Sequence, residues 1–172
     1  SEKGRFVMNL DELVRHFNDD LGCRYGVRLI GGGDEPFYQA PNKGSLGKII
    51  FREDFIASAL HEVAHWCLAG SRRRQLDDYG YWYVADRTQQ EQWAFERAEA
   101  KPQGLACLFS EAIGHPFVVS SDDPTRLPSA SFESSVYEAR DAFQKQLPPR
   151  ADSFLQRLTF NDFPSAGLVS DG

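Results

Sequence analysis

The chain has few cysteines, no long apolar run and no excess of positive charge, and each absence removes a class of protein. Cys23, Cys67 and Cys107 are odd in number and include no Cys-x-x-Cys pair. That fits buried thiols in a reducing compartment better than a disulfide framework. No segment approaches the roughly 18 apolar residues that a membrane-spanning helix needs, so no membrane association is expected. With 19 basic against 25 acidic residues, the net charge is −6. Phosphate neutralisation wants a basic surface, so direct nucleic-acid binding is not expected either. There is no internal repeat and no low-complexity run. The first seven residues place Glu2, Lys3 and Arg5 before a very short apolar patch, which does not read as a secretory signal. The expected location is the cytoplasm.

What is present is ordinary for a folded domain: 172 residues, 41 % apolar and 26 % charged, with 13 phenylalanines among the aromatics. This length suits one domain and buries a core without cross-links. Asn9 to Leu21 reads as a helix, with Asn9 as cap, Glu12 three residues on, an apolar stripe through Leu13 and Phe17, and Gly22 as stop. Val27–Ile30, Phe37–Gln39 and Leu46–Phe51 read as short strands. Gly31 to Gly33 between them lack the partners of a phosphate loop and read as a flexible turn. Glu53 to Ala69 is the strongest helical segment, and Tyr79 to Val84 reads as an aromatic strand. Thr88 and Glu91 form a capping box for a helix to about Lys101, where Pro102 kinks or ends it, with Gln103 to Ile113 as a second piece. A short strand at Phe117–Ser120 and a loop at Ser121–Ser129 follow. Helices are then expected within Phe132–Gln146 and Ala151–Leu158, with a loose tail from about Pro164. The class is α+β: a single domain over residues 1–172, with a small mixed sheet packed against helices.

The chemistry concentrates at His61-Glu62-Val63-Ala64-His65. Histidines at i and i+4 stand one turn apart on one helix face, so both imidazoles can share one metal ion. Glu62 is rotated about 100° from His61 and can reach a water or substrate beside the metal as a catalytic group rather than as a ligand. Shuffling this composition would give the pattern roughly once in a hundred sequences or less. The third ligand lies elsewhere, because Leu68 and Ser71 stand where an extended HExxHxxGxxH form needs Gly and His. Glu91, Glu96 and Glu99 are the downstream carboxylates; Glu99 is preferred and Glu96 is next, though spacing does not separate them. Arg72-Arg73-Arg74 suits a solvated turn or a docking patch for an acidic partner. Tyr79, Tyr81, Trp82 and Tyr83 suit core packing or a pocket that stacks on a cation, and Asp34 and Glu35 suit a turn or the recognition of an ammonium group.

Four blocks occur in order: Asp34-Glu35-Pro36-Phe37-Tyr38, His61-Glu62-Val63-Ala64-His65-Trp66, Gly80-Tyr81-Trp82-Tyr83, and Phe95-Glu96-Arg97-Ala98-Glu99-Ala100-Lys101-Pro102-Gln103. Together, over about residues 25 to 120, the chain resembles the bacterial elongation factor P hydroxylases. HExxH is shared by many metalloproteins, and the last two blocks make the likeness specific. The resemblance implies a zincin-like metal helix and hydroxylation of the elongation factor P lysine that already carries a β-lysyl group. By position it implies metal ligands His61, His65 and Glu99, selecting Glu99 over Glu96. It implies an oxygen-using enzyme, with molecular oxygen as co-substrate. The candidate substrate contacts come from the residue chemistry above: Asp34, Glu35, Tyr81, Tyr83 and Arg73.

Chemistry is compatible with that set. Two histidines and a carboxylate with open positions also serve non-haem iron(II) oxygenases. Zinc has no accessible redox state, so iron(II) is the expected working metal, although zinc or another divalent ion can occupy such a site. The rival reading is a zinc peptidase in which Glu62 polarises the attacking water. HExxH by itself does not decide between them.

Overall fold

The computed structural model describes residues 7–78, 87–121, 123 and 125–160. Helix α1 (Leu10–Phe17) starts where Asn9 accepts a hydrogen bond from the Glu12 N–H at 2.9 Å, as the sequence suggests. The helical path does not stop at Gly22. It widens into a π-helical turn over Asn18–Gly22, continues as α2 (Cys23–Tyr25), and ends at Gly26 with φ +66. The wide turn aims Asn18 at strand β1 (Val27–Gly33), where its side chain accepts from the Leu29 N–H at 2.8 Å and donates to the Leu29 carbonyl at 3.2 Å. One buried amide thus satisfies the Leu29 backbone groups on the edge of β1 that no other strand of the described residues covers.

Strands β2 (Phe37–Gln39) and β3 (Gly47–Arg52) complete a three-stranded mixed sheet of order β1-β3-β2. β3 lies parallel to β1 and antiparallel to β2. The glycine run is not a flexible turn. Gly31 to Gly33 extend β1, with a register irregularity between Ile30 and Gly33. The reason is close approach: a Cβ on Gly31 would meet the Phe51 ring at 2.7 Å and the Glu53 carbonyl at 2.8 Å.

Helix α3 (Ile56–Leu68) begins three residues later than expected, because Glu53 is taken up by the turn after β3, with φ +48. Helix α4 (Gln89–Ile113) is continuous through Pro102. The proline removes one helical N–H, but residues 102–110 are all buried, and packing outweighs one missing hydrogen bond. Phe117–Ser120 forms no strand. Helices α5 (Ala130–Lys145) and α6 (Pro149–Thr159) follow, capped by Ser129 and opened by Pro149 respectively. α5 lies tight on α4: a Cβ on Gly104 would meet the Arg140 nitrogen at 2.7 Å. The predicted strand at Tyr79–Val84 and the tail from Pro164 lie outside the described residues.

The main core joins Leu13, Phe17, Leu29, Phe51, Leu60, Val63, Phe109 and Phe154, so α1, the sheet, α3, the second half of α4 and α6 share one interior. This is the expected α+β architecture. Phe17, Trp66, Phe109 and Phe154 meet edge to face at centroid distances of 5.0–5.8 Å, which absorbs much of the aromatic content. Cys67 and Cys107 are buried as expected, whereas Cys23 is exposed, and all three are free thiols.

Candidate metal centre

α3 packs against α4, and where they meet the polar residues of both helices turn inward. His61 and His65 stack one turn apart with ring centroids 4.7 Å apart and their Nε2 atoms at 2.9 Å. Glu99 comes from α4 and is only 5 % exposed. Its Oε2 lies 3.2 Å from His61 Nε2 and its Oε1 lies 2.9 Å from His65 Nε2. Three donors of the types that bind divalent ions therefore converge within 4.8 Å of one another.

The electrostatics have identifiable causes. Burial pushes the His61 pKa down to about 4, against the pull of Glu99. Burial acts on His65 in the same direction, but the hydrogen bond and charge of Glu99, with Glu62 and Asp78 behind it, leave its pKa above the ordinary histidine value. Glu99 shows the reverse balance: burial pushes its pKa up, and the two histidines and Gln103 bring it below the ordinary carboxylate value. His61 is thus a neutral ligand in waiting, and Glu99 is an ionised one.

This arrangement fits a metal. An ion with donors at about 2.0–2.2 Å places neighbouring donors roughly 3 Å apart, the spacing found here. Two imidazole nitrogens facing each other beside one carboxylate are also the donor set that such an ion satisfies at once. Among the described residues no other group of three or more such donors converges in this way.

The remaining sequence candidates sit as follows. Glu62 is buried beside His61 on α3. Glu96 is excluded from the cluster: it lies one turn before Glu99 and accepts a hydrogen bond from Ser129 Oγ at 3.1 Å. Asp34 and Glu35 are exposed on the bend between β1 and β2. Arg73 is exposed in the turn after α3 and paired with Asp78 at 2.7 Å. Tyr81 and Tyr83 lie outside the described residues. Arg74 turns back instead of outward, donating to the Ala69 carbonyl at 2.8 Å. Arg150 from α6 bonds the Trp66 and Ala69 carbonyls, so two arginines cap the far end of the histidine helix. The arginine cap carries no sequence signal, whereas Gln103 is legible on one helix stripe with Glu96 and Glu99 at i, i+3, i+7 spacing, and the structure adds its hydrogen bond to Glu99 at 3.3 Å.

The structure therefore defines a small α+β protein with a histidine–histidine–glutamate cluster on two packed helices. The model of the elongation factor P hydroxylase family matches residues 16–166, most of the chain and all three cluster residues. The chain is also 38 % identical over 154 residues to a Haemophilus influenzae protein named elongation factor P lysine hydroxylase, covering 87 % of this chain and 86 % of that one. The chain belongs to the elongation factor P hydroxylase family.

Proposed function

We propose that the protein hydroxylates a lysine of elongation factor P in a metal- and oxygen-dependent reaction, acting in the cytoplasm on the form that already carries a β-lysyl group. The observation that carries this reading is the coincidence of the family match with the triad: the matched residues contain His61, His65 and Glu99, whose donor atoms converge. The family match gives the zinc peptidase alternative no support. No helix among the described residues is long and apolar enough to cross a membrane.

His61, His65 and Glu99 would hold one divalent ion. Iron(II) bound there would supply the redox chemistry that oxygen-dependent hydroxylation of an unactivated C–H bond requires. The conversion inserts one oxygen atom into the substrate and releases the other as water. It consumes two electrons from an external reductant and two protons. Glu62, buried beside His61, would hold one of those protons. The acidic chain, at net charge −6, favours approach of a cationic lysine. Asp34 and Glu35 contribute negative charge toward its ammonium groups, Tyr81 and Tyr83 offer aromatic faces, and Arg73 offers a contact for an acidic surface of the partner.

The test is an intact-mass measurement on β-lysylated elongation factor P incubated with the iron(II)-reconstituted protein, air and a reductant. A gain of one oxygen atom, lost in His61→Ala and Glu99→Ala, is the expected result. An unchanged partner in the presence of metal-loaded protein would refute the reading.

A further inference from the structure

Gln103 follows Glu99 by one helical turn on α4 and is 2 % exposed. Its amide is committed at both ends. Oε1 accepts from the Ser120 N–H at 3.0 Å, and Nε2 donates to the Ser120 carbonyl at 2.7 Å and to Glu99 Oε2 at 3.3 Å. The two bonds to Ser120 fix which end of the amide is nitrogen. Reversed, its oxygen would face the Ser120 carbonyl and the Glu99 carboxylate, and its NH2 would face the Ser120 N–H. The second N–H is thereby left for Glu99 alone. A mere tie between α4 and the 115–121 segment would be complete with the Ser120 pair; the third bond is the one that reaches the cluster.

We infer that Gln103 is a positioning residue: anchored on the Ser120 backbone, it holds Oε2 of Glu99 and so sets the plane in which that carboxylate meets a metal ion. A glutamate side chain has three rotatable bonds, and a ligand held by a neighbouring donor loses less freedom on binding. Oε1, the oxygen beside His65, is left as the better-placed ligand atom. This inference rests on reading the triad as a metal site.

The experiment measures cobalt(II) affinity by chelator competition, the visible spectrum of the cobalt form, and the thermal midpoint of the metal-free chain. It compares the wild-type protein with Gln103→Met and Gln103→Asn. The methionine variant keeps the volume and removes the donor. The expected result is cobalt affinity about 10- to 100-fold weaker, with an altered spectrum, in metal-free protein that still folds. The asparagine variant keeps an amide one methylene too short to span both partners. It is expected to show a smaller loss in the same direction, and it carries the test if the methionine variant does not fold. A lowered metal-free midpoint with wild-type affinity and spectrum would overturn the inference and leave Gln103 as a structural tie. Failure of the wild-type chain to take up cobalt(II) at all would instead overturn the metal reading beneath it.

Discussion

The two halves of α4 are one helix with two different lives. From Gln89 to Lys101 the helix is mostly exposed, and its buried positions are polar, Gln92 and Glu99. From Pro102 to Ser110 every residue is buried. The second half is held by apolar packing between α3, α5 and α6, whereas the first projects beyond the core and is tethered by side-chain chemistry. Glu99 sits at the seam. The carboxylate there is buried at 5 % exposure, while His61 and His65 beside it are half-buried. The lesson is that the core does not have to surround the cluster to position it; it has only to grip the next turn.

The sharpest way to break this comparison is at the seam itself. Glu99→Ala is expected to abolish hydroxylation while Glu96→Ala, one turn earlier, retains it, both read from product mass. Equal loss in the two would mean that the partition between cluster and surface is wrong. The next largest effect falls in the packed half. Phe109→Ala removes a fully buried ring and is expected to cost about 3–5 kcal/mol in denaturant unfolding. Arg150→Ala removes a donor from the Trp66 and Ala69 carbonyls, the latter still held by Arg74, and uncovers the face of Trp66. It is expected to cost about 1–3 kcal/mol in the same measurement. At the exposed end, Trp93→Ala, at a position 53 % exposed, is expected to change stability by no more than about 0.5 kcal/mol.

The pH dependence sharpens the same contrast. His61, with its pKa near 4, has no proton to give up at neutral pH, whereas the His65 pKa is raised. Below its raised pKa, His65 carries a proton that metal uptake must displace. Affinity should therefore fall by about tenfold per pH unit below the folded-state pKa of His65 and level off above it. In the metal-free chain His65 acts with the opposite sign. Its raised pKa contributes stability that is full below about 6.5 and lost as pH rises through the folded value. His61 loses stability for the fold as pH falls from about 6.5 toward 4. Chelator competition and thermal melts across pH 5 to 8 separate the two.

Much of this was legible in the residues because it is local. Asn9 and Thr88 cap helices through bonds to the group three residues on, so their meaning travels with the sequence. The histidines at 61 and 65 are neighbours on any α-helix. The errors are those of non-local packing. Gly31 to Gly33 read as a turn, because the Phe51 ring that requires a missing Cβ arrives from another strand. Pro102 read as a kink or an end, whereas the burial that carries one helix through it comes from three other helices.

The third ligand marks the boundary between the two kinds of knowledge. Periodicity presented Glu96 and Glu99 on one helix stripe, and the family resemblance chose between them. The reason for the choice is tertiary: α4 crosses α3 so that Glu99 faces the two Nε2 atoms, while Glu96 is turned to Ser129. The pairing of Gln103 with Ser120 belongs to the fold, since the two are 17 residues apart and meet only by chain return. The sequence by itself determined that two histidines would share a helix face and that an acidic α+β domain would carry them. Only the packing of one helix on another decided which carboxylate joins them and what holds it still, because side-chain convergence across elements depends on distances that no local spacing encodes.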